Sequence, residues 1–351
     1  MLRITPVLRL RYHLFTLRAV DTLTASMLAC LLLLLDALPV QAAIHPGFRT
    51  YGIWQAETQT RLDVNVWYPV ARTPSTVRYG EWSFRVNRRA TPMEGAFPLI
   101  LISHGTAEDR FFHHNLATEL AKQGFIVVAA THPGDNTQNM DNLFTVRQFT
   151  GRLRDFETVI AALKGDAYLG PHIDMQRIGV VGFGAGADAA LLAAGGHIDQ
   201  RAWEHWKADA TPDMPYMKPW ANKRLEETVQ ATELRQSHAS PLLRAAVVVA
   251  PAYDMFFDKH SLTTAACPVL LITRVHDTLT PLQIAASLAS GSRIVNTGNS
   301  NYLDYIALPE KEMDTPLPGV ALPSLQQHLT LAKAMIDETS RFLLEVIGKP
   351  N

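Results

Sequence analysis

Apolar and polar positions alternate in one part of the chain and cluster in runs elsewhere, and the two textures predict different strands. Leu62-Asp63-Val64-Asn65-Val66-Trp67-Tyr68 has the period of two that sets one face of an antiparallel strand on a core and the other in water, and it is expected to start the sheet. From residue 98 the texture changes to continuous apolar runs at 99–102, 125–130, 178–181, 245–250 and 269–272, as in strands covered on both faces. Helical spacing fills the gaps: residues 115–123 close at Gly124, and Phe149, Leu153, Phe156, Val159, Ile160 and Leu163 recur at steps that keep one face apolar. Strand and helix alternate, which predicts an α/β fold with a mainly parallel central sheet, helices on both faces, and ligands at the carboxyl ends of the strands. A last helix over 324–347 has a Ser324 cap, an apolar stripe through Leu325, Leu329, Ala332, Ile336, Phe342 and Val346 that gives it a packing role, and a closing Gly348.

Two stretches depart from this rhythm. Arg3, Arg9, Arg11 and Arg18 precede an apolar run over 23–35, followed by Asp36, Pro39 and the small residues around Ala42, the order of a secretory signal over 1–42. That run is shorter than the roughly 20 residues a bilayer-spanning helix needs. The expectation is a secreted or periplasmic domain over 43–351 with no stable membrane anchor once the signal is cleaved. The second stretch, 199–240, is polar, carries Trp203, Trp206 and Trp220, and has Pro212, Pro215 and Pro219 close together. It reads as an insertion before the sixth strand, either a surface excursion or a cap whose aromatics roof a pocket.

Composition narrows the function classes. A chain of 351 residues that is 47% hydrophobic suits a packed globule, and Lys+Arg 32 against Asp+Glu 33 leaves no field to draw it onto nucleic acid. Cys30 and Cys267 make no disulfide scaffold, and removal of a signal leaves Cys267 as a buried packing thiol. The histidines lack metal-ligand spacing, so neither a metal nor another cofactor is expected.

The candidate chemistry lies in Gly182-Phe183-Gly184-Ala185-Gly186, a tight turn from a strand into a helix. An α/β-hydrolase places Gly-x-Ser-x-Gly at such a turn, with the flanking glycines required because strand and helix approach too closely for side chains. Leu101-Ile102-Ser103-His104-Gly105, Leu120-Ala121-Lys122-Gln123-Gly124-Phe125, Thr131-His132-Pro133-Gly134-Asp135 and Cys267-Pro268-Val269-Leu270-Leu271-Ile272 leading to Asp277 complete a set. In order and spacing this set resembles the α/β-hydrolase branch of secreted dienelactone-hydrolase-like proteins and platelet-activating-factor acetylhydrolases.

That resemblance implies a Ser-His-Asp mechanism, in which a hydroxyl attacks an ester, an imidazole takes its proton and a carboxylate orients the imidazole. Here Asp277 stands at the acid position, Gly184 at the nucleophile position, and Asn301 or Tyr302 at the histidine position. The oxyanion donors would be the backbone N–H groups of Thr106 and Ala185, which survive any substitution and could bind a small ester or carboxylate ligand. Ser103, His104, His132 and His276 fall near the strand ends, where Ser103 and His104 are expected to fix the loop and His132 to serve as a turn residue; His328 lies within the last helix. The reading is an exported hydrolase-fold protein without the standard triad, in a binding or other non-catalytic role. Its alternative is an ester hydrolase with non-standard catalytic residues. A minor alternative takes Gly182, Gly184 and Ala187 as a dinucleotide fingerprint, but that motif needs an acidic residue ending a second strand about 20 residues on, and Asp199 and Glu204 fall in the polar, tryptophan-rich insertion.

Overall fold

The computed structural model describes residues 43–198, 201, 203–204, 240–251, 265–274, 289–300, 302–307 and 324–348. Ten described strands form one mixed sheet. They are β1 (His45–Gln55), β2 (Thr60–Val70), β3 (Ser75–Tyr79), β4 (Trp82–Arg88), β5 (Phe97–Ser103), β6 (Ile126–Thr131), β7 (Ile173–Phe183), β8 (Leu243–Val249), β9 (Val269–Thr273) and β10 (Arg293–Asn296), in spatial order β10-β9-β8-β7-β5-β6-β2-β1-β4-β3. From β10 to β6 every pairing is parallel, whereas β2 pairs antiparallel with both β6 and β1. The chain leaves β5 to make β6 on one side and returns to make β7 on the other, so the crossover point where ligands collect lies at the carboxyl ends of β5 and β7.

Four described helices cover the sheet: α1 (His114–Lys122), α2 (Arg147–Lys164), α3 (Ala185–Ala193) and α4 (Leu325–Leu343). Alternation along each strand divides the core between them. Leu99 and Leu101 of β5 pack with Phe156 of α2 and Leu192 of α3, while Ile100 and Ile102 pack with Leu120 of α1 and Phe342 of α4. Helix α3 is buried along its whole length, which its composition of small and aliphatic residues permits.

Several expectations change in detail. The alternating segment does not start the sheet: β1 precedes it, and β2 is buried on both faces from Val64 onward because β1, β6 and helices enclose it. Its polar Asn65 is accommodated by a hydrogen bond from Arg110 Nε at 3.2 Å. The strand after the 199–240 stretch is the eighth described strand rather than the sixth, and β1, β3 and β4 form an edge of the sheet that the apolar runs did not announce, β3 being short and half-exposed. Within that stretch Trp203 is fully buried in the core, while Trp206 and Trp220 lie outside the described residues. The stripe on α4 packs through Ala332 and Phe342, but Leu325 and Leu329 are exposed. Ser324 caps that helix as expected, its hydroxyl accepting from Gln327 N–H at 3.2 Å. Among the described residues no helix is long and apolar enough to cross a membrane.

Candidate functional site

At the end of β7 the chain turns through Gly184, with φ +52° and ψ −120°, and enters α3 at Ala185. A non-glycine residue held in such a region costs on the order of 1–3 kcal/mol, and glycine enters it freely. The turn is wedged in place: a Cβ at Gly182 would lie 2.0 Å from the Gly186 carbonyl oxygen, and one at Gly186 would lie 2.1 Å from the Ser103 carbonyl oxygen. Gly184 N–H donates to the Val249 carbonyl at 3.1 Å, tying the bend to β8. Ala185, at the first helical position, has an N–H with no acceptor inside its helix, at the positive end of the α3 dipole.

Tyr302 lies directly over this bend. A Cβ at Gly184 would sit 3.3 Å from both Cε2 and Oη of Tyr302, and a Cβ at Gly105 would sit 2.0 Å from Oη. The Tyr302 hydroxyl donates to Glu108 Oε1 at 2.7 Å. The other carboxyl oxygen of Glu108 accepts from Gly105 N–H at 3.0 Å and contacts His113 Nε2 at 2.9 Å, and His113 stacks on Phe183, the residue before the bend. Burial, reinforced by Glu108, pushes the Tyr302 phenol well above its ordinary pKa, so it remains protonated. The segment leading to Tyr302 is pinned by mutual contacts among the hydroxyls of Thr297, Ser300 and Tyr305.

Beneath the bend lies a second polar cluster. Ser103, at the end of β5, contacts His132 Nε2 through its hydroxyl at 2.9 Å, and His132 Nδ1 contacts Asp155 Oδ2 of α2 at 2.7 Å. Burial, with Arg152 adding to it, holds His132 well below its ordinary pKa, so the ring is neutral; burial also raises Asp155 to about 6. At neutral pH the arrangement therefore has the atom order of a Ser-His-Asp relay. It is sealed, with relative exposures of 0%, 1% and 5% for Ser103, His132 and Asp155. The Ser103 oxygen also accepts from Arg152 Nη1 at 3.0 Å, so its hydrogen-bonding capacity is largely used within the protein.

Arg152 extends this cluster to the loop above. Its guanidinium pairs with Asp135 at 2.6 Å and donates to the His104 carbonyl at 2.5 Å, while Asp135 receives Ala107 N–H at 3.2 Å and Gln148 Nε2 at 2.9 Å. Gln148 Nε2 also reaches Thr106 Oγ1 at 3.1 Å, and Ala107 adopts φ +59°, a conformation that survives only where its surroundings enforce it. His104 Nε2 accepts the His132 backbone N–H at 3.1 Å and its Nδ1 lies 2.7 Å from the Gly105 carbonyl, which assigns the neutral tautomer with the proton on Nδ1. Burial keeps His104 well below its ordinary pKa, and the ring fixes the loop.

Of the residues singled out in the sequence, Gly184, Ala185, Thr106, His104 and Tyr302 gather around the bend, whereas Asp277, Asn301 and His276 lie outside the described residues. Sequence reasoning treated Ser103 and His132 separately and assigned His132 to a turn; in the fold it is the centre of the buried relay. Glu108, His113, Arg152 and Asp155 were not singled out. No local signal marks Glu108, whose hydroxyl partner is 194 positions away, while the only trace of Arg152 and Asp155 is that both are charged residues on the packed side of an amphipathic helix. Among the described residues no group of His, Cys, Asp and Glu is placed to hold a metal ion.

The comparisons with known proteins bear on this geometry. Residues 73–147 match the family model for platelet-activating factor acetylhydrolase, isoform II. A ferulic acid esterase from Streptomyces cinnamoneus is similar in structure at 16% identity and a TM-score of 0.58, over 90% of this chain and 94% of that one. A dienelactone hydrolase from Anabaena variabilis matches at 16% identity and a TM-score of 0.48, over 86% of this chain and 99% of that one. Among curated proteins none matches. The sheet order, the bend after β7 and the likeness to the esterase structure show an α/β-hydrolase fold.

Proposed function

We propose that this protein is an exported member of the ester-hydrolase group that has lost serine-based turnover and keeps the bend after β7 as a binding site for a small ester. The observation that carries this reading is the packing of Tyr302 on Gly184: the nucleophile position has no side chain, and a Cβ there would already be 3.3 Å from the phenol ring. A side chain added at this position would press on the Tyr302 ring, and Tyr302 itself stands at the position expected of the histidine. The order of basic residues, apolar run and small residues over 1–42 supports export, and N-terminal sequencing of the secreted protein should start near Ala43. The strands that precede β7 speak against a dinucleotide site, which belongs to a first strand-helix-strand unit.

The test is to treat the mature protein with a serine-reactive fluorophosphonate and a panel of short-chain p-nitrophenyl esters. The expected result is no stoichiometric label and no ester cleavage beyond the roughly 10³ to 10⁴ over water that backbone donors and binding alone can give. One label per chain would overturn the proposal. A second reading, ester hydrolysis by non-standard residues, is favoured by one observation, the Ser-His-Asp atom order of Ser103, His132 and Asp155. Loss of label in Ser103→Ala would establish that reading.

A further inference from the structure

A phenol already occupies the bend after β7, and it is the chain's own. The Tyr302 ring lies against the bare Cα of Gly184, and its hydroxyl fits against Gly105, where any Cβ would collide with it at 2.0 Å. The polar end of this slot is an acceptor. Glu108 Oε1 accepts the phenolic hydrogen bond at 2.7 Å, while Oε2 is engaged by Gly105 N–H and His113 Nε2. A ligand carboxylate would meet that oxygen with another acceptor, whereas a hydroxyl on a flat ring meets it with a donor.

We infer that the bend is a binding slot for a hydroxyaryl group, filled in this state by Tyr302 and available to a phenolic ligand, or to the phenolic part of an ester, when the 297–305 segment withdraws. The inference rests on the reading of this bend as a binding site without serine chemistry, and it adds the ligand class. Tethering gives Tyr302 an effective concentration of about millimolar, so a free phenol competes with it only at comparable concentrations. Gly298, at φ +69° between the pinned Thr297 and Ser300, has no atom within 4 Å of its notional Cβ, so the hinge side is open and withdrawal has to release the hydroxyl contacts of Thr297, Ser300 and Tyr305.

Removing the tethered phenol should open the slot to a free one. In Tyr302→Gly, p-cresol is expected to bind saturably at one per chain by titration calorimetry and to raise the melting temperature. It should bind on the order of ten- to a hundredfold more tightly than toluene, which has the same ring but no donor for a buried acceptor. That preference should vanish in the Tyr302→Gly/Glu108→Leu double variant, which has no acceptor at that position. Equal binding of p-cresol and toluene, or no saturable binding by folded Tyr302→Gly, overturns the inference. Should Tyr302→Gly fail to fold, the wild type gives the answer: p-cresol, but not toluene, should speed hydrogen exchange across residues 297–305, and unchanged exchange overturns it. Phosphonate labelling would defeat the proposed function while leaving p-cresol binding intact, so the two failures are distinguishable.

Discussion

The bend at Gly184 and the cluster under it hold complementary halves of a hydrolase site. The bend has the backbone: a turn that only glycine takes without strain, a helical N–H with no acceptor inside its helix, and a position at the crossover of β5 and β7. The buried cluster has the side chains: Ser103, His132 and Asp155 in relay order within hydrogen-bonding distance. Under the function proposed above, neither half is a working site by itself. Nucleophilic catalysis needs an activated oxygen within about 3.5 Å of a carbonyl that has been admitted and oriented, and Ser103 has 0% exposure, so the proposed reading gives it no such role. What the buried relay can do is support, since a fully satisfied polar network rigidifies the elements it joins. Through Arg152, Asp135 and Gln148 it holds the Gly105–Thr106–Ala107 loop that faces the bend.

Breaking the support should cost more than altering the bend. Arg152→Met leaves Asp135 buried without its cation, and the expected loss is about 3–5 kcal/mol of unfolding free energy, read from the denaturant midpoint. A loss under about 1 kcal/mol would mean that water or rearrangement satisfies Asp135 and that the cluster is not the loop's scaffold. At the bend, Gly184→Ser forces a side chain into φ +52° against Tyr302, with an expected cost of about 1–3 kcal/mol and little ester cleavage gained. Adding Tyr302→His removes the obstructing ring and supplies an imidazole, so the double variant should cleave p-nitrophenyl acetate faster than either single one. Equal rates would show that the phenol is not what blocks the bend.

The mildest perturbation is acidification. His104 and His132 have folded pKa values well below the ordinary 6.5, so below that pH the unfolded chain takes up protons the folded one refuses, and stability falls. Asp155 acts oppositely: its folded value of about 6 lies above the ordinary 3.8, so the folded protein gains a proton first as pH drops through that window. Two imidazoles outweigh one carboxyl, and His114, lowered to about 4, adds to them. The denaturant midpoint should therefore be lower at about pH 5 than at about pH 7.5. A flat profile would mean that the imidazoles are not held neutral by burial.

The sequence by itself determined the parts of the protein that depend on near neighbours. Apolar runs fixed β5 through β9, helical spacing fixed α1, α2 and α4, and the three glycines around the bend were readable because a tight turn allows nothing larger at those steps. Only the tertiary structure decided what faces what. That Tyr302 covers Gly184, that Glu108 receives its hydroxyl, and that Ser103, His132 and Asp155 meet out of reach of solvent are contacts between segments tens to hundreds of positions apart. Periodicity reports the environment a residue needs, buried or wet; it carries no record of which distant residue will provide it, because that partner is chosen by the packing of whole elements.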